Sequence, residues 1–462
     1  MSLNEAAEGE TGRSPAGVTR FTAAVRARFL ASSNETGQAA LFAFGVRVAS
    51  AGIAYIAQAL LARWMGSYEY GIYVFVWVWV LILGGLAPLG LSTASMRFVP
   101  EYREKGQLAL LRGLLRGSRL IAVGISSAVA LAGFASLALF GHLLDDHYLL
   151  PAWLILFCLP LYALVDVQDG IARGFGWMPL ALLPPYILRP LLILAGMYAA
   201  TVTGFPPTAA TAAGAAVAAC WITGLVQMLM LGRGVSRSIP SGERSTDVRH
   251  WLTVSAPILM VNGFDLLLQN TDILVLSLFR DPSDMAVYFA ALKTMALISF
   301  VHFAVGSASA NRFSTLKARG DADGLSAAVS GAVKWTFWPS LAGAALLLAM
   351  GQPLLWLFGS DFASGYPVMF VLAAGFVTRA AMGPAMYVLN MLGEQNRCAL
   401  VLLGAALANV ALNFALIPFF GLYGAAAATA ISLGGSAVMM SRVAKARLGL
   451  DLAVWRIGAA RG

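Results

Sequence analysis

Between Trp251 and Phe279 the chain is apolar enough to cross a bilayer, yet it carries Asn262, Asp265, Gln269, Asn270 and Asp272. At 100° per residue Asn262, Asp265, Gln269 and Asp272 fall on one stripe of a helix. Each charged group at mid-membrane costs roughly 2.5–3.5 kcal/mol on insertion scales, so such a stripe faces protein or a water-filled cavity rather than lipid. Amides and carboxylates there can hold a helix to its neighbours, or they can hold a solute or an ion. Asp265 is the candidate for ion coupling, by taking up a proton or by holding Na⁺ with the amide oxygens of Asn262 and Gln269.

Three cations lie too deep in apolar runs to be loop charges: Arg47, Lys293 and Arg379. Guanidinium and ammonium groups recognise phosphate, the first in bidentate geometry and the second as a point charge. Counting depth from the turn at Asp281-Pro282 puts Asp272 level with Lys293 and Asp265 level with His302. The expectation is an Asp272–Lys293 ion pair, structural or displaced by a ligand, and an Asp265–His302 neighbourhood. Asp166, Asp169 and Arg173 form a charged group at the end of an apolar run, either a salt-bridged helix end or a gate. Arg189 and Lys334 lie nearer helix ends, where long side chains snorkel to the interface. Asn409 and Asn413 read as glue between helices.

The elements that position these residues are membrane helices. The 462-residue chain is 59% hydrophobic and only 11% charged, against about 25% charged in soluble domains. Its apolar runs number about twelve, each long enough for a ~30 Å hydrocarbon core. The alternating pattern of barrel strands is absent. The net charge of +9 gathers in short loops, which argues for membrane topology and against nucleic acid. With the N-terminus inside, the outer loops hold only Arg63 and Arg280 of the 31 Lys and Arg, and both termini are cytoplasmic. Cys158, Cys220 and Cys398 are odd in number, lack metal-ligand spacing and read as buried thiols. The implied organisation is a cytosolic tail (1–36), a six-helix bundle (37–232), a linker (233–250), a second six-helix bundle (251–445) and a basic tail (446–462). The first tail reads as helical from Thr19.

The halves repeat one another. Arg97-Phe98, a short basic helix and Gly106 follow the second run; Arg312-Phe313, a basic helix and Gly320 follow the eighth. In transporters such repeats flank a central site that opens alternately to each side. Further motifs are Ala62-Arg63-Trp64-Met65-Gly66 with Glu69-Tyr70-Gly71, Leu89-Gly90-Leu91-Ser92-Thr93, Asn270-Thr271-Asp272, Tyr288 with Ala290-Ala291-Leu292-Lys293, and Gly421-Leu422-Tyr423-Gly424-Ala425-Ala426. Together these resemble the polysaccharide-exporter flippases of the MATE-like MOP exporter superfamily. The resemblance implies an all-α, V-shaped pair of six-helix bundles in a bacterial inner membrane. It implies a non-enzymatic flippase moving undecaprenyl-pyrophosphate-linked oligosaccharide, an O-antigen or exopolysaccharide precursor, from the cytoplasmic to the periplasmic leaflet. No cofactor is implied beyond a coupling H⁺ or Na⁺. The implied partners are the lipid-linked substrate, membrane lipids, and glycan polymerase and chain-length regulators. One alternative is a multidrug exporter of the same fold, against which Arg47, Lys293 and Arg379 argue. The other is a membrane glycan polymerase or ligase, for which the loop at Asp145-Asp146-His147 is short.

Overall fold

The computed structural model describes residues 35–456, apart from the side chains of 35–44 and of Arg47. The expected N-terminal tail and the last residues of the basic tail lie outside the described residues. Every regular element among the described residues is helical. This follows from the solvent: hydrocarbon offers no partner for backbone N–H and C=O groups, and a helix satisfies them within one segment.

In the first half Glu35–Leu86 is followed by Leu91–Glu104, Leu108–Phe140, the pair Asp146–Leu156 and Leu159–Gly174, then Met178–Leu183, Arg189–Val202 and Ala209–Ser238. The second half runs Val248–Leu276, Pro282–Ala296 with Ser299–Ala318, Ala322–Ala349, Tyr366–Ala381 with Ala385–Met391, Gln395–Phe420 and Leu422–Leu448. Ten segments are long and apolar enough to cross a membrane, and the first-half pair, bent by 48°, makes an eleventh. One of the ten, Val48–Glu104, is 57 residues long, about 85 Å of helix, far more than one crossing needs. It breaks at Gly66, whose φ of 77° and ψ of 170° are not helical. Divided there, it supplies the first two of the twelve runs expected.

The core shows how the halves are joined. One buried apolar cluster takes residues from both halves, among them Tyr70, Tyr73, Met285, Tyr288, Phe358 and Phe362. The other large clusters separate. One is built from first-half residues plus Trp251, and another from second-half residues only. The molecule is therefore two arms sharing a core at one end. At that end the Tyr70 ring lies 6.4 Å from Phe289 and 6.0 Å from Phe362. Arg63 stacks 4.7 Å over Trp356, and the Ser67 hydroxyl donates to the Asp361 carboxylate at 3.4 Å. At the other end the arms touch through Trp251, whose indole N–H donates to the Tyr102 hydroxyl at 3.0 Å.

The repeat seen in the sequence has a structural counterpart at this second end. The Gly106 N–H bonds to the Arg103 carbonyl and the Gln107 N–H to Tyr102; the Gly320 N–H bonds to Lys317 and the Asp321 N–H to Leu316. Both are Schellman stops, which need the left-handed backbone that glycine adopts freely, and φ is +65° at Gly106 and +70° at Gly320. Phe98 and Phe313 hold equivalent buried places in their own arms' cores. The three cysteines are free and buried.

Close helix contact depends on individual glycines. A Cβ built on Gly170 would sit 1.9 Å from the Ser92 carbonyl oxygen, whereas one on Gly124 meets nothing within 4 Å. Backbone cannot yield as a flexible side chain does, and overpacking of this kind costs about 1–3 kcal/mol. Gly170→Ala is expected to lower the melting temperature of detergent-purified protein by several degrees, while Gly124→Ala leaves it unchanged or raises it. Equal melting of the two variants would show that these helices do not meet at Gly170.

Candidate substrate cavity

A cavity of about 550 Å³ opens within the second half. Val248–Leu276 contributes Asp265 and Gln269, Pro282–Ala296 contributes Lys293, Ser299–Ala318 contributes His302, and Tyr366–Ala381 contributes Arg379. Two helix breaks make room for it. Pro282–Ala296 stops at Leu297 before Ser299 begins a new helix, and Tyr366–Ala381 stops before Gly383, at φ +58°, and Pro384. Proline cannot continue the hydrogen-bond ladder, and irregular backbone at membrane depth is tolerated where it lines a cavity. Phe300, Phe303, Phe376 and Tyr387 supply aromatic wall.

The cavity holds two cations and one carboxylate. The Lys293 ammonium lies 4.8 Å from the centre of the Phe289 ring. Neither Lys293 nor Arg379 makes an ion pair within 4.0 Å among the described residues. The Asp265 carboxylate accepts from the Gln269 side-chain amide at 2.6 Å. His302 has no hydrogen-bond partner on either ring nitrogen, and its ring lies 6.2 Å from that of Tyr387. Thus Asp265 and Gln269 of the polar stripe, with Lys293, His302 and Arg379 placed by depth, meet in one space. The Arg47 side chain lies outside the described residues.

Two expected members stand elsewhere. Asp272 is 1% exposed and lies behind the cavity wall. Its carboxylate accepts from the Tyr288 hydroxyl at 2.5 Å, the Thr429 hydroxyl at 3.2 Å and the Ile273 N–H at 2.9 Å. The expected Asp272–Lys293 ion pair is not formed. Tyr288 and Lys293 share a helix but are five residues apart, about 140° round it. When Tyr288 points at Asp272, Lys293 points away. Asn262 faces the other arm: its amide donates to the Thr93 hydroxyl at 3.4 Å, in a separate space of about 180 Å³ that also holds Asp166 and Tyr162. Asn262 and Asp272 are ten residues apart, about 80° round the helix. A helix at the junction of the arms presents so broad a stripe to different neighbours.

The gate candidates separate in the same way. Asp169 and Arg173 close a bidentate pair at 2.8 and 2.9 Å within one helix, the salt-bridged helix end of the two readings. Asp166 lines polar space beside Arg189, Tyr162 and Tyr186, a space that Asp169 also borders. Arg189 begins the helix Arg189–Val202 but lies well inside the span Met178–Val202, not at its end. It follows a π-helical turn, Pro184–Leu188, inside the span Met178–Val202, and lies 4.6 Å from the Tyr162 ring centre and 5.9 Å from that of Trp77. Its signal in the sequence was Pro184-Pro185 before it and Pro190 after it, since π turns recur at functional sites. Lys334 is exposed. Asn413 donates to Asn409 at 3.0 Å along one helix, so this bond does not join two helices.

The sequence profile of the family described as "Polysaccharide biosynthesis protein" matches residues 37–316, and the chain belongs to that family. No match was found among curated proteins. Among solved structures the chain is similar to an inward-facing multidrug resistance MATE family transporter of the MOP superfamily. Identity is 14% and the TM-score 0.72, over 89% of this chain and 96% of that one. It is similar to the lipid II flippase MurJ in an inward closed conformation at 15% identity and a TM-score of 0.71, over 88% and 87% of the two chains. It is also similar to a MOP superfamily transporter from Pyrococcus furiosus, with 16% identity and a TM-score of 0.66 over 89% and 95%. Family and fold together define a multi-pass membrane protein of the polysaccharide biosynthesis family with the fold shared by MATE transporters and MurJ.

The Asp272 network makes a prediction. Charge-assisted hydrogen bonds contribute roughly 1.5–3 kcal/mol, and coupling is found between residues in contact. In a double-mutant cycle read by thermal denaturation, Asp272→Asn and Tyr288→Phe are expected to couple by about 1 kcal/mol or more. Asp272→Asn and Lys293→Gln are expected to couple less. The reverse order would restore the ion pair.

Proposed function

We propose that this protein is a flippase for undecaprenyl-pyrophosphate-linked oligosaccharide, moving an O-antigen or exopolysaccharide precursor across a bacterial inner membrane. The observation that carries the reading is the pair of cations, Lys293 and Arg379, lining the second-half cavity with no ion pair within 4.0 Å among the described residues. A buried cation without a close counter-ion is costly, and an anionic head group would relieve that cost on binding. Lys293 and Arg379 would receive the pyrophosphate, with Arg47 as a third cation from the first arm. Aromatic faces and the amide of Gln269 suit the sugars. An organic-cation exporter would instead require a surplus of carboxylates.

Alternating access would use the shared core as its joint. The arms are packed together at the end bearing Ser67, Ser283 and Asp361. The linker joins them at the opposite end, taken as cytoplasmic from the distribution of Lys and Arg. A cavity closed toward the periplasm by those contacts would load from the cytoplasmic leaflet. Coupling to H⁺ or Na⁺ would run through Asp265, whose bond to Gln269 and proximity to His302 and Arg379 let its charge be felt by the bound head group. Glycan polymerase and chain-length regulators would take the product.

Transport of a fluorescent lipid-linked oligosaccharide in proteoliposomes tests the assignment. Lys293→Ala and Arg379→Ala are each expected to reduce flipping at least tenfold while the proteins remain folded by size-exclusion profile. Wild type that flips no such lipid but exports organic cations would overturn it. In the same vesicles Asp265→Asn is expected to flip at a rate indifferent to imposed H⁺ and Na⁺ gradients. A variant that responds to the gradients as wild type does would remove Asp265 from coupling.

A further inference from the structure

A second cavity, of about 890 Å³, lies in the first half at the end where the linker joins the arms. Arg112, Arg116, Arg119 and Arg244 line it, and no acidic residue does. The first three stand at i, i+4 and i+7 of Leu108–Phe140, on one face of that helix. Like charges at this spacing repel, so helix stability does not explain them. Elsewhere some cations find carboxylates, Lys105 and Arg97 with Glu101, Arg173 with Asp169, Arg397 with Glu394 and Lys445 with Asp451, while others in last turns, Arg103, Arg237 and Lys317 among them, enter no ion pair among the described residues. None of the four arginines of this cavity enters an ion pair among the described residues.

Their donors are differently occupied. The Arg112 guanidinium donates to the carbonyls of Pro240 at 2.9 Å and Glu243 at 3.0 Å, and so straps the linker down as one wall of the cavity. The Ser245 N–H adds a bond to the Ala109 carbonyl at 3.0 Å. Arg119 is the opposite case. Its Nε and one terminal nitrogen are shielded from solvent and have no hydrogen-bond partner among the described residues. It stands eleven residues into its helix, about 16 Å along the axis, below the polar surface. The walls beside it are apolar, from Leu120, Val123 and Met228, and Leu120 is 60% exposed to the surroundings of the bundle. A cationic floor under an apolar, laterally open wall fits a molecule with a phosphate at one end and hydrocarbon at the other. Basic pockets between membrane helices on the cytoplasmic side are suited to such head groups.

We infer that this cavity is a binding site for the phosphate of an anionic lipid, held by Arg116, Arg119 and Arg244, with its chains along Leu120, Val123 and Met228. The lipid is either a resident glycerophospholipid or an isoprenoid pyrophosphate, which share this chemistry. The inference is independent of the head-group role given to the second-half cavity.

Full-length protein, stripped of lipid in neutral detergent, is titrated separately with phosphatidylglycerol, farnesyl pyrophosphate and inorganic pyrophosphate. Bound molecules are counted by native mass spectrometry. At least one of the two lipids is expected to bind, and the tighter identifies the source. Affinity is expected to fall at least tenfold in R116Q/R119Q. Leu120→Trp leaves the arginines in place and narrows the apolar wall, so it is expected to weaken the lipid and spare inorganic pyrophosphate. It also keeps the test decisive if the double variant does not fold. Lipid affinity unchanged in the variants, or inorganic pyrophosphate binding as tightly as either lipid, would overturn the inference.

Discussion

Hydrocarbon solvates neither a backbone amide nor a charged side chain, and both restrictions shape this protein. The first makes every described regular element a helix. The second decides where the few deep charges stand. Asp272 is tolerated because three donors converge on its carboxylate, and Asp169 because Arg173 grips it in two places. Lys293 and Arg379 receive no comparable partner and face a cavity instead. The division is chemical. Asp272 and Asp169 are saturated by short hydrogen bonds, whereas Lys293 and Arg379 make no ion pair within 4.0 Å among the described residues and line a cavity.

The same economy governs the joint between the arms. Their shared core is made of large buried side chains, Tyr70, Tyr288, Phe358 and Phe362 among them, and needs no charged contact at its centre. Aromatic packing of this kind is tight enough to seal against water. The polar contacts across it among the described residues are single hydroxyl bonds, from Tyr55 to Thr294 and Leu354 within the packing and from Ser67 to Ser283 and Asp361 at the rim. Such a rim, made of single hydroxyl bonds, can be broken at small cost. At the far end Trp251 and Tyr102 keep the linker side attached.

Much of the architecture was legible because periodicity and length report it directly. The apolar runs, the repeat of Arg-Phe and Gly after the second and eighth of them, and the deep cations all follow from position along the chain. Azimuth does not. Depth put Asp272 level with Lys293, but whether two side chains on neighbouring helices face each other depends on how each helix is rotated. Tyr288 fixes that rotation against the expected ion pair. The helical wheel puts Asn262 on the same stripe, but it faces the other arm, because one helix borders both arms. Arg189 was misplaced for another reason: a π turn carries the chain through Pro184-Pro185 without ending the span.

Arg119 shows what the positive-inside pattern conceals. Counting Arg112, Arg116 and Arg119 as loop charges gives a consistent topology, yet all three stand on Leu108–Phe140. A loop arginine is solvated and its position is of little consequence. A helix fixes where its arginines stand, and one whose donors are shut from water must find its partner in protein or lipid. The same cations can therefore set the orientation of the chain and, once it is folded, form a recognition surface. Orientation needs only their number on one side of the membrane. Recognition needs the i, i+4, i+7 register, the linker strapped beside it by Arg112 and the apolar wall above. It is this surplus of order over what topology requires that separates a bound lipid phosphate from a mere excess of positive charge.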